Sequence, residues 1–311
     1  MHLGEKTPTG GDLYARLDDG ARVFLLPAYL ESTFDRGTFD LRDKAVLKID
    51  RTAVDGLQVI AGATPVTFAK RDEKWRLTAP LDVRADYGAV ESVLGRVTTA
   101  QMKAIVAQEA TDLAQYGLQA PAITVHLDAG SARSTLLIGA ASPEGPLYAK
   151  DASRPMVFTV DATLADDLRK TPADFRPRDL FEFRSFTAQR VEVTRDGATA
   201  VLEKKKGDGE QAVETWMQTQ PAAEVGEAKI IDLLSTASNL RAASFVDALP
   251  AGATPVLAVK AVFDGGAREE SVTFYRAGED TYAVRAGDPG AAKLTAGDLD
   301  STLKNLDALK P

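Results

Sequence analysis

Trp75-Arg-Leu-Thr-Ala-Pro80 and Trp216-Met-Gln-Thr-Gln-Pro221 keep Trp, Thr and Pro at the same spacing, 216 − 75 = 141 residues apart. Each stretch follows an alternating run that predicts a hairpin, Pro65–Lys70 into Lys74–Leu77 and Ala200–Lys204 into Glu214–Met217. Each is followed by a helical stripe. Val90, Val93, Leu94 and Val97 fall at i, i+3, i+4, i+7, and Ile230, Leu233, Leu234 and Ala237 repeat that spacing. The shared positions Trp75, Thr78, Pro80, Trp216, Thr219 and Pro221 therefore predict a fold signature. An indole in a hairpin, with Leu77 or Met217 as apolar neighbour, packs its sheet against the helix that follows.

The agreement extends outwards. Pro121, Ile123 and Val125 alternate as one strand face, as do Pro255, Leu257 and Val259. Gly139, Pro143 and Gly145 match Gly4, Pro8 and Gly10, while Tyr148, Val157, Phe158 and Leu164 match Tyr14, Val23, Phe24 and Leu30, a constant 148 − 14 = 134 residues. Such self-similarity predicts tandem repeats: the back half of a unit over 1–44, a full repeat over 45–180 and a second over 181–311. The half-unit leads us to expect a chain trimmed from a longer one, with Tyr29, Phe34 and Phe39 as an exposed apolar patch. Each unit reads as a Trp-bearing hairpin, a helix, a β-meander and a short helix, an α+β fold of mainly antiparallel sheet. Pro27 in a first turn, Asp161 as an N-cap and Thr295 with Asp298 as a capping pair mark the short helices.

Composition narrows the function. In 311 residues, 37 Lys and Arg oppose 45 Asp and Glu, a net charge of −8 that argues against nucleic acid as a partner. The absence of cysteine excludes disulfides, thiol nucleophiles and thiolate zinc sites. The best apolar run, Val23 to Leu30, contains Pro27 and is far below the roughly 20 residues that span a bilayer.

The candidate chemistry is thin. Gly4-Glu-Lys-Thr-Pro-Thr-Gly-Gly11 lacks the Gly-Lys-Ser/Thr ending of a phosphate loop and reads as a turn. His126 lies opposite Ile123, Val125 and Leu127, so we expect it at the surface, and one such imidazole makes neither a metal centre nor a triad. Asp82 with Asp86, Asp166 with Asp167 and Glu269 with Glu270 are the acid pairs a hydrolase would need, although Asp86 also fits a helix N-cap. No catalytic residue, cofactor or metal ligand is therefore assigned.

The combination of Trp-x-x-Thr-x-Pro before a helix, Tyr116-Gly-Leu-Gln-Ala-Pro121 before a strand, and Gly139, Pro143, Gly145 and Tyr148 before Val157-Phe158 resembles domain of unknown function 4340 (DUF4340), a bacterial family of tandem α+β units. The resemblance implies a periplasmic location, on the outer face of the cytoplasmic membrane, and an N-terminal membrane anchor, a segment we expect to have been trimmed from the sequence as given. It implies partners among ABC exporter subunits of the gliding-motility type. The expected function is a non-catalytic interaction or scaffold module of an export or envelope complex, with contacts where the repeats differ, as at the hairpin tip Lys204–Glu210. The alternatives are a glycan- or peptide-binding module of the cell envelope, which exposed indoles would favour, and a two-carboxylate hydrolase, which needs a cleft with converging acids.

Overall fold

Alternating apolar residues place most of the chain in strands, and two apolar stripes of helical period place its longest helices. The computed structural model describes residues 1–206 and 213–309. The chain runs β1 (His2–Lys6), β2 (Asp12–Arg16), β3 (Val23–Pro27), α1 (Tyr29–Phe34), β4 (Gly56–Ile60), β5 (Val66–Arg71), β6 (Lys74–Ala79), β7 (Val83–Arg84) and α2 (Tyr87–Thr99). It continues through β8 (Ala104–Ala107), β9 (Ile123–Ala129), β10 (Ala132–Ala141), β11 (Leu147–Asp151), β12 (Val157–Val160) and α3 (Thr163–Leu168). The remainder is β13 (Ala188–Arg195), β14 (Ala198–Lys206), β15 (Glu214–Gln220), β16 (Ala222–Ala223), α4 (Glu227–Ser238), β17 (Ser244–Val246), β18 (Thr254–Phe263), β19 (Arg268–Ala277), β20 (Asp280–Arg285), β21 (Ala291–Lys293) and α5 (Asp298–Asp307). With five α-helices among the described residues, this is a sheet-rich α+β chain.

Two compact units divide it. The first comprises Met1–Asp50, Arg96–Thr124 and Ser134–Ala165. In it β1, β2 and β3 form an antiparallel sheet, and β10, β11, β12 and β8 pair in that order. Ile123, Leu136, Ile138, Val157 and Phe158 are fully buried. Here the glycine signature has a steric cause. A Cβ on Gly139 would lie 2.2 Å from the carbonyl oxygen of Tyr116, and Gly117 turns beside it at φ +67°. The Tyr116 ring meets that of Tyr148 edge-on at 5.1 Å. Gly145 (φ +102°) closes the turn around exposed Pro143 by donating its amide to Ser142. Tyr29 and Phe34 are 69% and 62% exposed, whereas Phe39 is half-buried with Lys44 over its ring.

The second unit comprises Arg51–Gly95, Val125–Arg133 and Asp166–Pro311. There β5 and β6 turn through Asp72 and Glu73, both at positive φ, the conformation that a two-residue hairpin with right-twisted strands demands. Trp75 is 2% exposed and donates its indole N–H to Glu91 on α2 at 2.8 Å. Val90, Val93 and Leu94 bury the helix face beside it. The nine-stranded antiparallel sheet runs β16–β15–β14–β13–β18–β19–β20–β21–β17. Trp216, 4% exposed, packs in one core with Ile230, Leu233 and Leu234 of α4 and the inward residues Leu257, Val259, Val272 and Phe274. Thr78 and Thr219 each donate a hydroxyl to the strand behind, to the carbonyls of Thr67 and Val201. Pro80 and Pro221 both follow cis peptide bonds. Pro121 is half-buried just before β9, and Pro255 is exposed in β18.

Local expectations fared unevenly. Asp161 caps α3 through the Thr163 amide at 3.1 Å, and Asp86 caps α2 through the Ala89 amide at 2.7 Å. Pro27 ends β3 instead of opening a helix. Thr295 and Asp298 form no capping box, because Gly297 at φ +86° precedes the helix and Thr295 contributes only its backbone carbonyl. Met217 is 50% exposed, since the residue next to Trp216 on a strand must point the other way. Of the expected tip Lys204–Glu210, Lys204, Lys205 and Lys206 end β14, and residues 207–210 lie outside the described residues.

The close approach at Gly139 predicts that Gly139→Ala lowers the free energy of urea unfolding by about 1–3 kcal/mol. Gly11→Ala, whose Cβ meets nothing within 4 Å, is expected to change it by less than about 0.5 kcal/mol. Equal stabilities for the two variants would contradict the packing described.

Candidate functional site

A glutamate on the inward side of a strand must find partners, because a buried carboxylate without them is very costly. The alternation of β19 puts Glu270, Val272 and Phe274 inward, and Glu270 is 5% exposed. Its carboxylate accepts the backbone amides of Glu182 (2.9 and 3.1 Å) and Phe183 (2.8 Å) and an Arg285 N–H from β20 (2.9 Å). That arrangement pins the segment before β13 to β19 and fixes where Glu182 projects.

Glu182 in turn gathers cations from four separate elements. Lys74 at the start of β6 approaches its carboxylate at 3.5 Å, Arg84 of β7 at 3.3 Å and Arg285 at 3.4 Å, and Arg268 at the start of β19 pairs with it directly. Burial alone would raise the Glu182 pKa. The hydrogen bond from Arg268 and the charges of Arg84, Arg268 and Lys74 outweigh it, and hold the carboxyl at about 2 against an ordinary 4.5. Arg84 itself is pushed down by burial and by the charge of Arg285, opposed by Glu182, Asp288 and Glu270. Arg176, buried against the ring of Phe245 at 4.0 Å, is likewise pushed down by burial, with Asp288 opposing.

Several of these side chains line two neighbouring hollows of the second unit. A groove of about 960 Å³ is walled by Arg71, Lys74, Arg84, Tyr87, Glu182 and Arg268. A smaller cavity of about 30 Å³ lies among Arg84, Arg176, Arg285, Phe245 and Asp288. Arg84, Pro177 and Asp179 belong to both. The arrangement gathers several cations around one carboxylate, a pattern suited to recognition of charged groups.

The residues singled out in the sequence lie mostly elsewhere. Trp75 borders the groove but its indole is buried, and Trp216 sits inside the nine-stranded sheet's core, so neither offers a stacking face. The Gly4–Gly11 loop closes the β1–β2 hairpin, with the amides of Thr7 and Gly10 bonded within the turn. His126 is half-buried, not exposed, and its pKa is lowered by burial first and then by Arg133, against Asp128. Among the acid pairs, Asp82 binds Arg76 at 2.8 Å, Asp86 caps α2, Asp166 lies 3.9 Å from Arg169 and Glu269 pairs with Lys260 at 3.1 Å. Among the described residues no three His, Asp or Glu side chains gather as metal ligands, and no helix is long and apolar enough to cross a membrane. Sequence reasoning missed the Glu182 cluster. Its one readable sign was Glu270, an acid at an inward position of an alternating strand.

The sign of the pH effect follows from the Glu182 shift. A carboxylate with a lowered folded pKa stabilises fully above about 4.5 and loses that contribution as pH falls towards about 2. Glu182→Gln is expected to cost on the order of 2 kcal/mol at neutral pH, allowing for partial solvent screening. Across that acid window the variant should lose less stability than the parent, as read by urea unfolding at stepped pH. Parallel pH profiles would contradict the ion-pair geometry.

No curated protein and no solved structure matches the chain. The family described as Domain of unknown function (DUF4340) matches residues 1–74 and 75–257. That span takes in Gly4, Pro8 and Gly10, the Trp75 and Trp216 motifs, and the Gly139 turn. The chain belongs to the DUF4340 family.

Proposed function

We propose that this protein is a non-catalytic interaction module of a bacterial membrane export or envelope complex. It works on the extracytoplasmic face of the cytoplasmic membrane, held there by an N-terminal anchor as the family resemblance implies, with ABC exporter subunits as partners. The observation that carries the non-catalytic part is the commitment of the two acids of the Glu182 cluster. Glu182 and Glu270 are tied to arginines and backbone amides, and Glu182 is displaced away from neutral pH, whereas a hydrolytic acid must be held protonated near it. What remains open at the groove is a broad, mixed-charge surface with Tyr87 61% exposed on its wall, a composition suited to a protein partner.

We also propose that the chain is a tandem array, with units over 45–180 and 181–311 after a half-unit over 1–44. Support comes from paired contacts: Thr78 to Thr67 and Thr219 to Val201, and Lys70 over Trp75 as Lys204 lies over Trp216. The strand order β7–β6–β5–β4–β9 also parallels β16–β15–β14–β13–β18. A cleft of about 450 Å³ beside Ala200, Pro221 and Leu309 favours the second reading, a glycan- or peptide-binding envelope module.

A photo-crosslinking residue in place of Tyr87, in protein expressed in its native membranes, is expected to capture a transporter or envelope subunit. Adducts confined to cytoplasmic proteins, or none at all, would count against an export partner.

A further inference from the structure

We propose that the outer edge of β3 is an acceptor site for an extended segment of a partner protein, added antiparallel as a further strand. β3 ends the three-stranded sheet of the first unit and pairs with β2 alone. The Ala28 amide donates to the Gly11 carbonyl at 2.9 Å, which sets the alternation of the ladder. Phe24 and Leu26 bond to β2, so Val23 and Leu25 turn their N–H and C=O groups to the open side. Residues 23–26 carry no charge, proline or bulge to blunt such an edge, and the Val23 and Leu25 side chains are 58% and 53% exposed.

Two equivalent edges in the same chain are covered. β2 and β3 pair Leu13 with Leu26, Tyr14 with Leu25 and Ala15 with Phe24. β11 and β12 pair Leu147 with Val160, Tyr148 with Thr159 and Ala149 with Phe158, every residue 159 − 25 = 134 further on. β12 then pairs with β8, Phe158 opposite Ile105 and Thr159 opposite Ala104, and the Lys103 amide reaches the Thr159 carbonyl at 2.8 Å. In the second unit β20 and β21 pair Tyr282 with Lys293, and β21 then pairs with β17. There Ala292 stands opposite Phe245 and Lys293 opposite Ser244, with the Ala243 amide on the Lys293 carbonyl at 2.8 Å. Val157, Phe158 and Thr159 are buried, as are Ala291 and Ala292. β3 has the acceptor half of this arrangement, and no strand among the described residues supplies the other half.

The covering strands define the occupant. Opposite Phe158 or Ala292 stands a large apolar residue, Ile105 or Phe245, and its neighbour opposite Thr159 or Lys293 is small, Ala104 or Ser244. A segment fitting β3 thus carries a bulky apolar residue opposite Phe24 and a small one opposite Leu25. Main-chain hydrogen bonds to Val23 and Leu25 give it affinity, and the two side chains set its register. The site deepens the interaction role proposed above and rests on the tandem reading, because the repeated strands supply the occupant's chemistry.

The probe is a fluorescent peptide with the sequence of residues 101–109, Gln-Met-Lys-Ala-Ile-Val-Ala-Gln-Glu, added to the whole chain. Saturable binding by anisotropy is expected, with slowed hydrogen exchange at the Val23 and Leu25 amides. Leu25→Pro removes an N–H that bonds nothing in the sheet, and is expected to weaken binding about fivefold or more, the worth of one backbone hydrogen bond. N-methylating the peptide at its lysine, which leaves the protein unaltered, is expected to do the same. No saturable binding, equal binding of a scrambled peptide, or binding that leaves the Val23 and Leu25 amides unprotected would overturn the acceptor site. A dimer in sedimentation with those amides protected in the absence of peptide would overturn the partner in favour of a second copy. Strong Hα–Hα NOEs at both Tyr14–Leu25 and Tyr148–Thr159 test the tandem reading by itself, with no peptide present. Losing either NOE overturns that reading, whereas a peptide that does not bind while both NOEs stand overturns only the acceptor site.

Discussion

Taking a carboxylate out of water obliges the surrounding chain to supply donors, and around Glu270 that requirement organises the second unit. Two backbone amides and one guanidinium satisfy it, and they come from the segment before β13 and from β20. The pinned segment then presents Glu182 to cations from β6, β7, β19 and β20. Remove the first carboxylate and the second has no fixed position. Buried ion pairs of this sort add little net stability over an apolar packing of the same shape, but breaking one partner is severe, so they act by fixing geometry.

Beside that polar constraint runs an apolar one. Each tryptophan is buried where its strand faces a helix stripe, and each indole N–H finds an acceptor, Glu91 for Trp75 and the Ser185 carbonyl for Trp216. The acceptors differ although the placement is alike: a large ring has few ways to fit a sheet-helix interior, while its single donor can be met by whatever lies near. Gly139 shows the limit of such freedom in the first unit, where a carbonyl occupies the space that any side chain would need.

The two constraints bear on function in opposite ways. The tryptophans, conspicuous in the sequence, serve the interior. The arginines, scattered along the chain, converge on Glu182 and on the groove it lines. A groove in which Glu182 is held ionised by surrounding cations presents a persistent electrostatic pattern, which is what recognition of a charged partner uses.

By itself the sequence determined what depends on neighbours along the chain: the Trp hairpins, the stripes Val90–Val97 and Ile230–Ala237, the caps at Asp86 and Asp161, and the membership that these motifs signal. Strand and helix periods repeat over a few residues, so a linear pattern suffices to show them. Where a local rule met a competing backbone demand it failed, as at Thr295, where Gly297 at positive φ took the turn. Only the tertiary structure decided the cluster of Lys74, Arg84, Glu182, Arg268, Glu270 and Arg285. Its members come from β6, β7, β19, β20 and the segment before β13, and nothing in the order of residues states which charges will share one volume. Coulomb forces and hydrogen bonds act through space, and the fold alone sets those distances.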